Sequence, residues 1–431
     1  MKKIIVAGCG HGGLTAAAAL SRKGYDVTVI EKGKREELGY DWHDSVLTNL
    51  FENAGMPVPE AVCYLPADKM CYYNPKKTVK VTPEIGEIKG YGYIDRKFLI
   101  NSFIDYALEC GVKFVFEAEI VSALCSAFRV EGVKYIENGE EKKLFSDLVI
   151  DACGIYSPLR LSLPDRFGIL NKVNKEEVFI GWRGYFEKTE DIITDPESNI
   201  YFFHCGRCGM DWAITKDGYM DILVGGFGSL TEADVEEALD DFRKEYPYMS
   251  GKLLRGGYSD RIPVGKNLPV FVYNGYAAVG NSAYMTEPLS GSGIDLSIFA
   301  GRVLSDVIIE SDGDFSVKTL WKYNYRYIKE AGENRYMSAI IKGMLSSLKG
   351  EDIDFLMEKK IMTQKEIAGT GGAYTFEDYL HKLNAVRNPR LYAPLLHMLD
   401  KIIISSKLAK TVPEKYSEKD IKKWSALYAK L

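Results

Sequence analysis

Gly8, Gly10 and Gly13 stand at Gly-x-Gly-x-x-Gly spacing directly after an apolar run, Lys3–Ala7. The stretch LTAAAALSRKG then reads as an Ala-rich helix ending at Gly24, and YDVTVIEK as a second strand with Glu31 at its end. The chemistry of that order is specific. Gly8 permits a tight turn, Gly10 lets the backbone approach a pyrophosphate, and Gly13 lets the helix lie close to the sheet. Gly12 belongs to the same loop, and the helix start offers N–H groups and a partial positive charge to phosphates. Glu31 can hold both hydroxyls of an adenosine ribose. A carboxylate there repels a 2′-phosphate, so the loop suits FAD or NAD rather than NADP. His11, inside the loop, reads as structural.

A second glycine loop lies far along the chain, in AAVGNSAYMTEPLSGSGIDLSIFAGR, Ala277–Arg302. Asn281 follows an apolar strand, where it can hydrogen-bond a ribityl chain or a pyrophosphate. Pro288 opens the loop, and the backbone N–H groups of Gly291, Ser292 and Gly293 sit at the start of the helix IDLSIFAGRVLSDVI. A helix N-terminus there stabilises negative charge on a reduced isoalloxazine ring. NAD enzymes need one such loop. FAD, with its ribityl chain and flavin ring, needs a second segment, so the two loops are expected to grip one FAD molecule.

The elements that must position these loops follow from the rest of the chain. At 431 residues it exceeds one simple core, and two or three domains are expected. A net charge of -5 gives no reason to expect nucleic-acid binding. The N-terminal apolar run is too short for a signal peptide and reads as a buried strand, and no run is long enough to span a membrane. The 8 cysteines, scattered with no secretory signal, suit a reducing cytoplasm rather than a disulfide framework. From Leu161 to Gly265 the pattern changes to short alternating runs, read as an antiparallel sheet and interrupted by the helix TEADVEEALDDFRKEYP. From about Phe315 the chain reads as helices mixing aromatic and basic residues, suited to a packed helical cap, a dimer contact or a peripheral membrane contact.

Proton donors are sought among the histidines and cysteines. His43, between Trp42 and Asp44, could supply a proton; alternatively Asp44 caps a helix SVLTNLFENAG. His204 lies in the expected substrate sheet, followed by Cys205-Gly-Arg-Cys208. That Cys-x-x-Cys lacks a second pair or a close histidine pair, so no metal site is expected. It lies between strands, unlike a thioredoxin-type pair. A flavin-linked dithiol is left open for it. With no cysteine after Cys208, an iron–sulfur cluster is not expected.

Four segments together resemble flavoproteins of the para-hydroxybenzoate hydroxylase fold, and among them the geranylgeranyl reductase family. They are IIVAGCGHGG, VGNSAYMTEPLSGSGIDLSIFAG, DLVIDACGIYSPLR and YIDRKFLINSFIDYALECG, and in the middle of the chain GMDWAITKDGYMDILVGG resembles a pocket segment of the geranylgeranyl reductases. The resemblance implies that Arg96 and Gly154 border the flavin and that Trp212 shapes a substrate pocket. Asn281 and Cys153 each replace an Asp of the family pattern, and Ile214-Thr215 replaces its Phe-Pro. The implied fold class is α/β. A Rossmann-type FAD-binding domain would span residues 1–160 and 265–310, an antiparallel β substrate domain 161–264, and a helical C-terminal region 311–431. The implied activity is FAD-dependent oxidoreduction, in which reduced flavin passes hydride to a C=C bond of an apolar or isoprenoid lipid substrate and His43, His204 or Cys205 supplies the proton. The external reductant would be NAD(P)H or a redox protein, the Cys153 replacement weighing against NAD(P)H. The alternatives are a flavin monooxygenase hydroxylating an aromatic ring and an electron-transfer flavoprotein serving a partner.

Overall fold

The computed structural model of the protein describes residues 1–66, 68–82, 90–363, 367 and 384–431. Its centre is a six-stranded sheet built from β1 (Lys3–Ala7), β2 (Asp26–Ile30), β7 (Lys113–Val115), β11 (Leu148–Asp151), β17 (Val272–Tyr273) and β18 (Tyr276–Ala278), in the order β17-β18-β11-β1-β2-β7. β1, β2, β7, β11 and β18 run parallel and β17 closes one edge antiparallel. The sequences IIVA and LVID have no polar alternation because both sheet faces are covered, and their side chains are buried.

Helix α1 (His11–Ser21) lies between this sheet, α3 (Arg96–Glu109) and α6 (Ile294–Glu310). It crosses α6 at backbone contact. A Cβ on Gly12 would lie 2.4 Å from the Ser297 carbonyl oxygen, and one on Gly301 would lie 2.2 Å from that of Gly12. The small residues of α1 therefore serve close helix packing as much as the loop before it. A three-stranded sheet of β8 (Ala118–Cys125), β9 (Val130–Glu137) and β10 (Glu140–Phe145) flanks the centre.

The second large unit is a seven-stranded sheet in the order β16-β12-β15-β14-β13-β4-β5. Its main strands, β12 (Val178–Lys188), β13 (Ser198–Phe202), β14 (Met210–Thr215), β15 (Tyr219–Phe227) and β16 (Met249–Pro263), pair antiparallel, as the alternating runs predict. Two short strands, β4 (Met70–Tyr73) and β5 (Lys80–Val81), join its edge, β4 running parallel to β13. This sheet thus draws on chain well before residue 161. Helix α5 (Glu232–Glu245), capped by Thr231, covers one face and packs on Met220, Ile222 and Val224; Leu223 and Phe179 face the other way.

One expectation is corrected between the two units. Residues after Asp44 do not form a helix capped by it. β3 (His43–Leu47) is a strand paired antiparallel with β6 (Tyr91–Asp95), and the one-turn helix α2 (Leu50–Asn53) starts only after Asn49. Non-local pairing overrides the local capping signal, and Asp44 is drawn to two arginines instead.

A short helix α4 (Pro158–Ser162) follows β11. The C-terminal region is helical in its described residues: α7 (Val317–Tyr327), α8 (Glu333–Ser346), α9 (Gly350–Glu358), α10 (Tyr392–Thr411) and α11 (Glu418–Tyr428). Part of the expected helical stretch, residues 376–383, lies outside the described residues. Trp321, Trp424 and Tyr428 pack on the central core, while Ile353, Leu356 and Met357 of α9 form a separate cluster with Phe203. No helix among the described residues is long and apolar enough to cross a membrane.

Candidate active site

The first glycine loop leaves β1 with Gly8 at φ +88°, a left-handed conformation that suits glycine. A Cβ there would lie 2.7 Å from the Ala152 carbonyl oxygen at the end of β11. Gly10 is the N-cap of α1 and no side chain caps the helix, so its first-turn N–H groups are left for a ligand. Glu31 follows β2 at the lip of the loop. Its two oxygens accept from the N–H groups of Cys9, at 2.8 Å, and Gly33, at 2.9 Å, which holds the carboxylate beside the helix start.

The second loop is tied to the first by a residue that sequence reasoning passed over. Asp151, fully buried at the end of β11, accepts from Ser157 and Tyr276 on one oxygen and from Ser282 and the Cys153 N–H on the other. Ser282 accepts in turn from the Gly154 N–H at 2.9 Å. One carboxylate thereby sets the β11 turn, β18 and the loop after it. The Cys153 thiol is 3.3 Å from the Ala7 carbonyl oxygen, and burial, with Asp151 adding to it, holds it well above its usual pKa. Cys153 lines the cavity at the β11 turn.

Gly293 is the N-cap of α6, again with no side-chain cap. Asn281 accepts from the Thr286 hydroxyl at 3.1 Å. On the opposite wall Asp95 caps α3, accepting from the Phe98 N–H, and thereby places Arg96. Arg96 donates to Asp44 at 2.5 Å, lies 4.9 Å from the ring centre of Tyr40, and leaves a buried Nε with no partner.

These groups surround one cavity of about 1870 Å³ between the central sheet and the seven-stranded sheet. Gly8, Gly10, Gly12, Gly13, Glu31, Arg96, Gly154, Asn281, Gly291, Ser292, Gly293 and Trp212 all line it; Pro288 does not. The far wall is largely apolar, with Ile200, Phe202, Met210, Ile214 and Leu223 from the second sheet and Ile341 and Leu345 from α8. Uncapped helix starts, the open glycine backbone and the orphaned buried Nε of Arg96 fit an extended anionic dinucleotide such as FAD.

The three expected proton donors do not line this cavity. His43 packs on Tyr185, whose hydroxyl accepts from the His43 N–H at 2.9 Å; burial, reinforced by Arg255, lowers the ring's pKa. His204 is buried between Asp211 and Asp241, and Cys205 lies beside it. Residues that do reach the wall include Tyr72, Tyr93 and Asp295. Asp295, in the first turn of α6, is near the Leu47 N–H at 3.4 Å, and burial pushes its carboxyl up to about 6. An acid in the first turn after an anion-binding loop is an anomaly readable in the sequence. A further group is the buried Arg183 on β12, which binds Asp221 through two nitrogens, at 2.8 and 2.5 Å, and Asp44 at 2.9 Å. Its guanidinium lies 5.7 Å from Trp42 and 5.1 Å from Trp212. A charge in the middle of strand GWRGYF was the available signal.

Comparisons with known proteins agree with this geometry. Residues 6–58 match the NAD(P)-binding Rossmann-like domain model. The chain is 24% identical over 381 residues to digeranylgeranylglycerophospholipid reductase of Sulfolobus acidocaldarius, covering 84% of this chain and 82% of that protein. It is 25% identical over 370 residues to digeranylgeranylglycerophospholipid reductase 1 of Methanococcoides burtonii, covering 82% and 86%. In three dimensions it matches a geranylgeranyl bacteriochlorophyll reductase-like protein of Thermoplasma acidophilum with a TM-score of 0.73 and 18% identity, over 92% of this chain and 99% of that one. The flavin-dependent halogenase CmlS shares the fold at a TM-score of 0.62 and 18% identity, over 99% and 77%. The chain has the fold of the flavin-dependent enzymes of the para-hydroxybenzoate hydroxylase type and is similar over most of its length to archaeal digeranylgeranylglycerophospholipid reductases.

Proposed function

We propose that this protein saturates C=C bonds in the isoprenoid chain of a lipid. The observation that carries the reading is the continuity of the cavity: a glycine-lined dinucleotide cleft opens directly onto an apolar wall. Prenyl chains carry no polar groups to recognise, so such a wall binds them by burial alone, at about 25 cal/mol per Å² of apolar surface. The curated relatives, named as reductases of digeranylgeranyl lipids, support the same substrate class.

In this reading the first turn of α1, from Gly10 to Gly13, holds the pyrophosphate and Glu31 the adenosine ribose. Arg96, Gly154, Asn281 and the Gly291–Gly293 backbone hold the flavin half, and Trp212 borders the substrate. Residues 1–160 and 265–310 form the cofactor domain. Residues 161–264, with β4 and β5, form the substrate sheet. FAD, once reduced, supplies the hydride. The protein's own task is to exclude water, align the chain along the apolar wall and hold a proton at that wall. Asp295, Tyr72 and Tyr93 are the groups placed to hold it.

The electrons come from outside the chain. Cys153 stands where the resembling family carries Asp, which favours a redox protein over direct reduction by NAD(P)H. A lipid substrate also favours contact with a membrane surface. On α10 Leu396 is 67% and Ile403 70% exposed, at helical spacing, with Lys407 and Lys410 on the same side.

The test is anaerobic. The flavin-loaded protein, reduced chemically, is mixed with a geranylgeranyl glycerolipid in vesicles, and the product is weighed by mass spectrometry. The expected result is addition of paired hydrogens with loss of reduced flavin absorption. A lipid of unchanged mass, or reoxidation only when oxygen is admitted with an aromatic substrate, overturns the reading in favour of a monooxygenase. In parallel, NADH and NADPH are expected to leave the flavin oxidised.

A further inference from the structure

His204, Cys205 and Asp241 each bring one potential ligand atom into a group lying within 4.8 Å of one another. They sit where β13 turns into β14, against α5, on the sheet face away from the cavity. The isolated Cys-x-x-Cys does not account for this grouping: Cys208 turns away, its sulfur 3.6 Å from the Ser346 carbonyl oxygen.

The two ring nitrogens of His204 have unequal surroundings. Nδ1 is 2.7 Å from Oδ2 of Asp211, which is fully buried. Asp211 also accepts from Arg207 at 2.6 Å on both oxygens and from the Gly225 N–H at 2.9 Å. A carboxylate so well supplied with donors is a fixed acceptor, and it orients the ring with Nδ1–H toward it. Nε2 is thereby aimed at Oδ2 of Asp241, 2.9 Å away. A nitrogen lone pair and a carboxylate oxygen repel at that distance unless a proton or a metal ion lies between them. Lys77 binds the same Asp241 oxygen at 2.6 Å and Glu245 at 2.5 Å. It offsets the outer side of Asp241, while the inner side faces the imidazole and the thiol.

Buried histidine backed by a carboxylate is the arrangement that metal-ligating histidines use to fix ring orientation. One nitrogen, one sulfur and one oxygen donor form a mixed set suited to a tetrahedral zinc-class ion, with a fourth position left for water. We propose that His204 Nε2, Cys205 Sγ and the Asp241 carboxylate form a binding site for a divalent transition ion of the zinc class, with Asp211 as its supporting partner.

The ion forms a bond to Cys205 sulfur as the S–H bond breaks, and the proton leaves to solvent. Cysteine binds a metal as the thiolate, so binding tightens as pH rises, with proton release. Lys77 is the ammonium paired with Asp241, and it is itself held by Glu245. The ion would clasp the β13–β14 turn to α5 and so serve the substrate sheet without touching the cavity.

The test uses the flavin-loaded full chain, incubated with zinc chloride, desalted and assayed for metal by atomic emission. Stoichiometric zinc is expected in the unaltered protein and in C208S. In C205S and D241N affinity should fall by more than about 100-fold, a direct ligand mattering at least as much as a supporting one. Zinc should raise the unfolding temperature only where it is retained. Unchanged flavin absorption in all four proteins shows that they are folded, so the outcome is independent of the lipid-reductase reading. Three results overturn the proposal: no zinc retained by the unaltered protein, equal retention in C205S, or a loss in C208S as large as in C205S.

Discussion

Asp295 shows what burial does to a single carboxyl. Its pKa, raised to about 6 by desolvation, exceeds the ordinary carboxylate value. In the folded state it binds a proton more readily than in the unfolded chain. The associated stability is present below the unfolded pKa and is lost as pH rises through about 6. Asp295→Asn removes that loss. At about pH 8 the variant should be more stable by about 1–3 kcal/mol in urea titrations, and the advantage should fade as pH falls below the raised value. An unchanged difference at low and high pH would show that the carboxyl is not desolvated as described. Gly10 makes the complementary case. Its Cβ position lies 3.2 Å from the Ala152 carbonyl oxygen, and any branch beyond it enters the cavity at the uncapped helix start. Gly10→Val should purify folded and without yellow colour. If it retains flavin absorption, the N-terminal loop does not hold the cofactor.

At the scale of elements, the α1–α6 crossing is the joint on which both halves of the site depend. Each helix begins at one of the two glycine loops, and they meet through Gly12, Ser297 and Gly301. A methyl group at Gly301 would stand 2.2 Å from a backbone oxygen that no rotamer change can move. Gly301→Ala should cost about 1–3 kcal/mol by overpacking, read as a lower denaturant midpoint. Because separating the helices separates the loops, the same variant should bind FAD more weakly in fluorescence titrations. A stability loss with unchanged FAD affinity would mean that the loops are held independently of the crossing.

At the scale of the molecule, charged and polar pairs join the seven-stranded sheet to the segments around the central sheet beside the cavity. Tyr40 bonds Asp260, and Arg255 bonds Asp95 at 2.6 Å and Asp41 at 3.3 Å. Asp44 bridges Arg96 and Arg183, joining the start of α3 to β12. Arg255 is partly exposed, so its contribution is modest and screened by salt. Arg255→Ala should lower stability by about 1–2 kcal/mol at low ionic strength and by less in high salt. A loss that does not shrink with salt would assign the role of Arg255 to packing rather than to charge.

The sequence by itself determined the parts whose chemistry is local. Gly8 suits its turn because the backbone there needs positive φ, a local constraint, whereas the contact of Gly12 with Ser297 of α6 was decided only by the fold. The run IIVA read as a buried strand, and the alternating runs after Leu161 read as an antiparallel sheet. Asp44 was legible only as a cap, because its arginines lie 52 and 139 residues away in the chain. The same holds for Asp151, which gathers Ser157, Tyr276 and Ser282, and for His204, whose surroundings were invisible until α5 packed on the sheet. Backbone conformation and strand periodicity are set by neighbours along the chain. The wall of the cavity, the pairing of buried charges and the exclusion of His43, His204 and Cys205 from that wall are set by segments that meet only when the chain has folded.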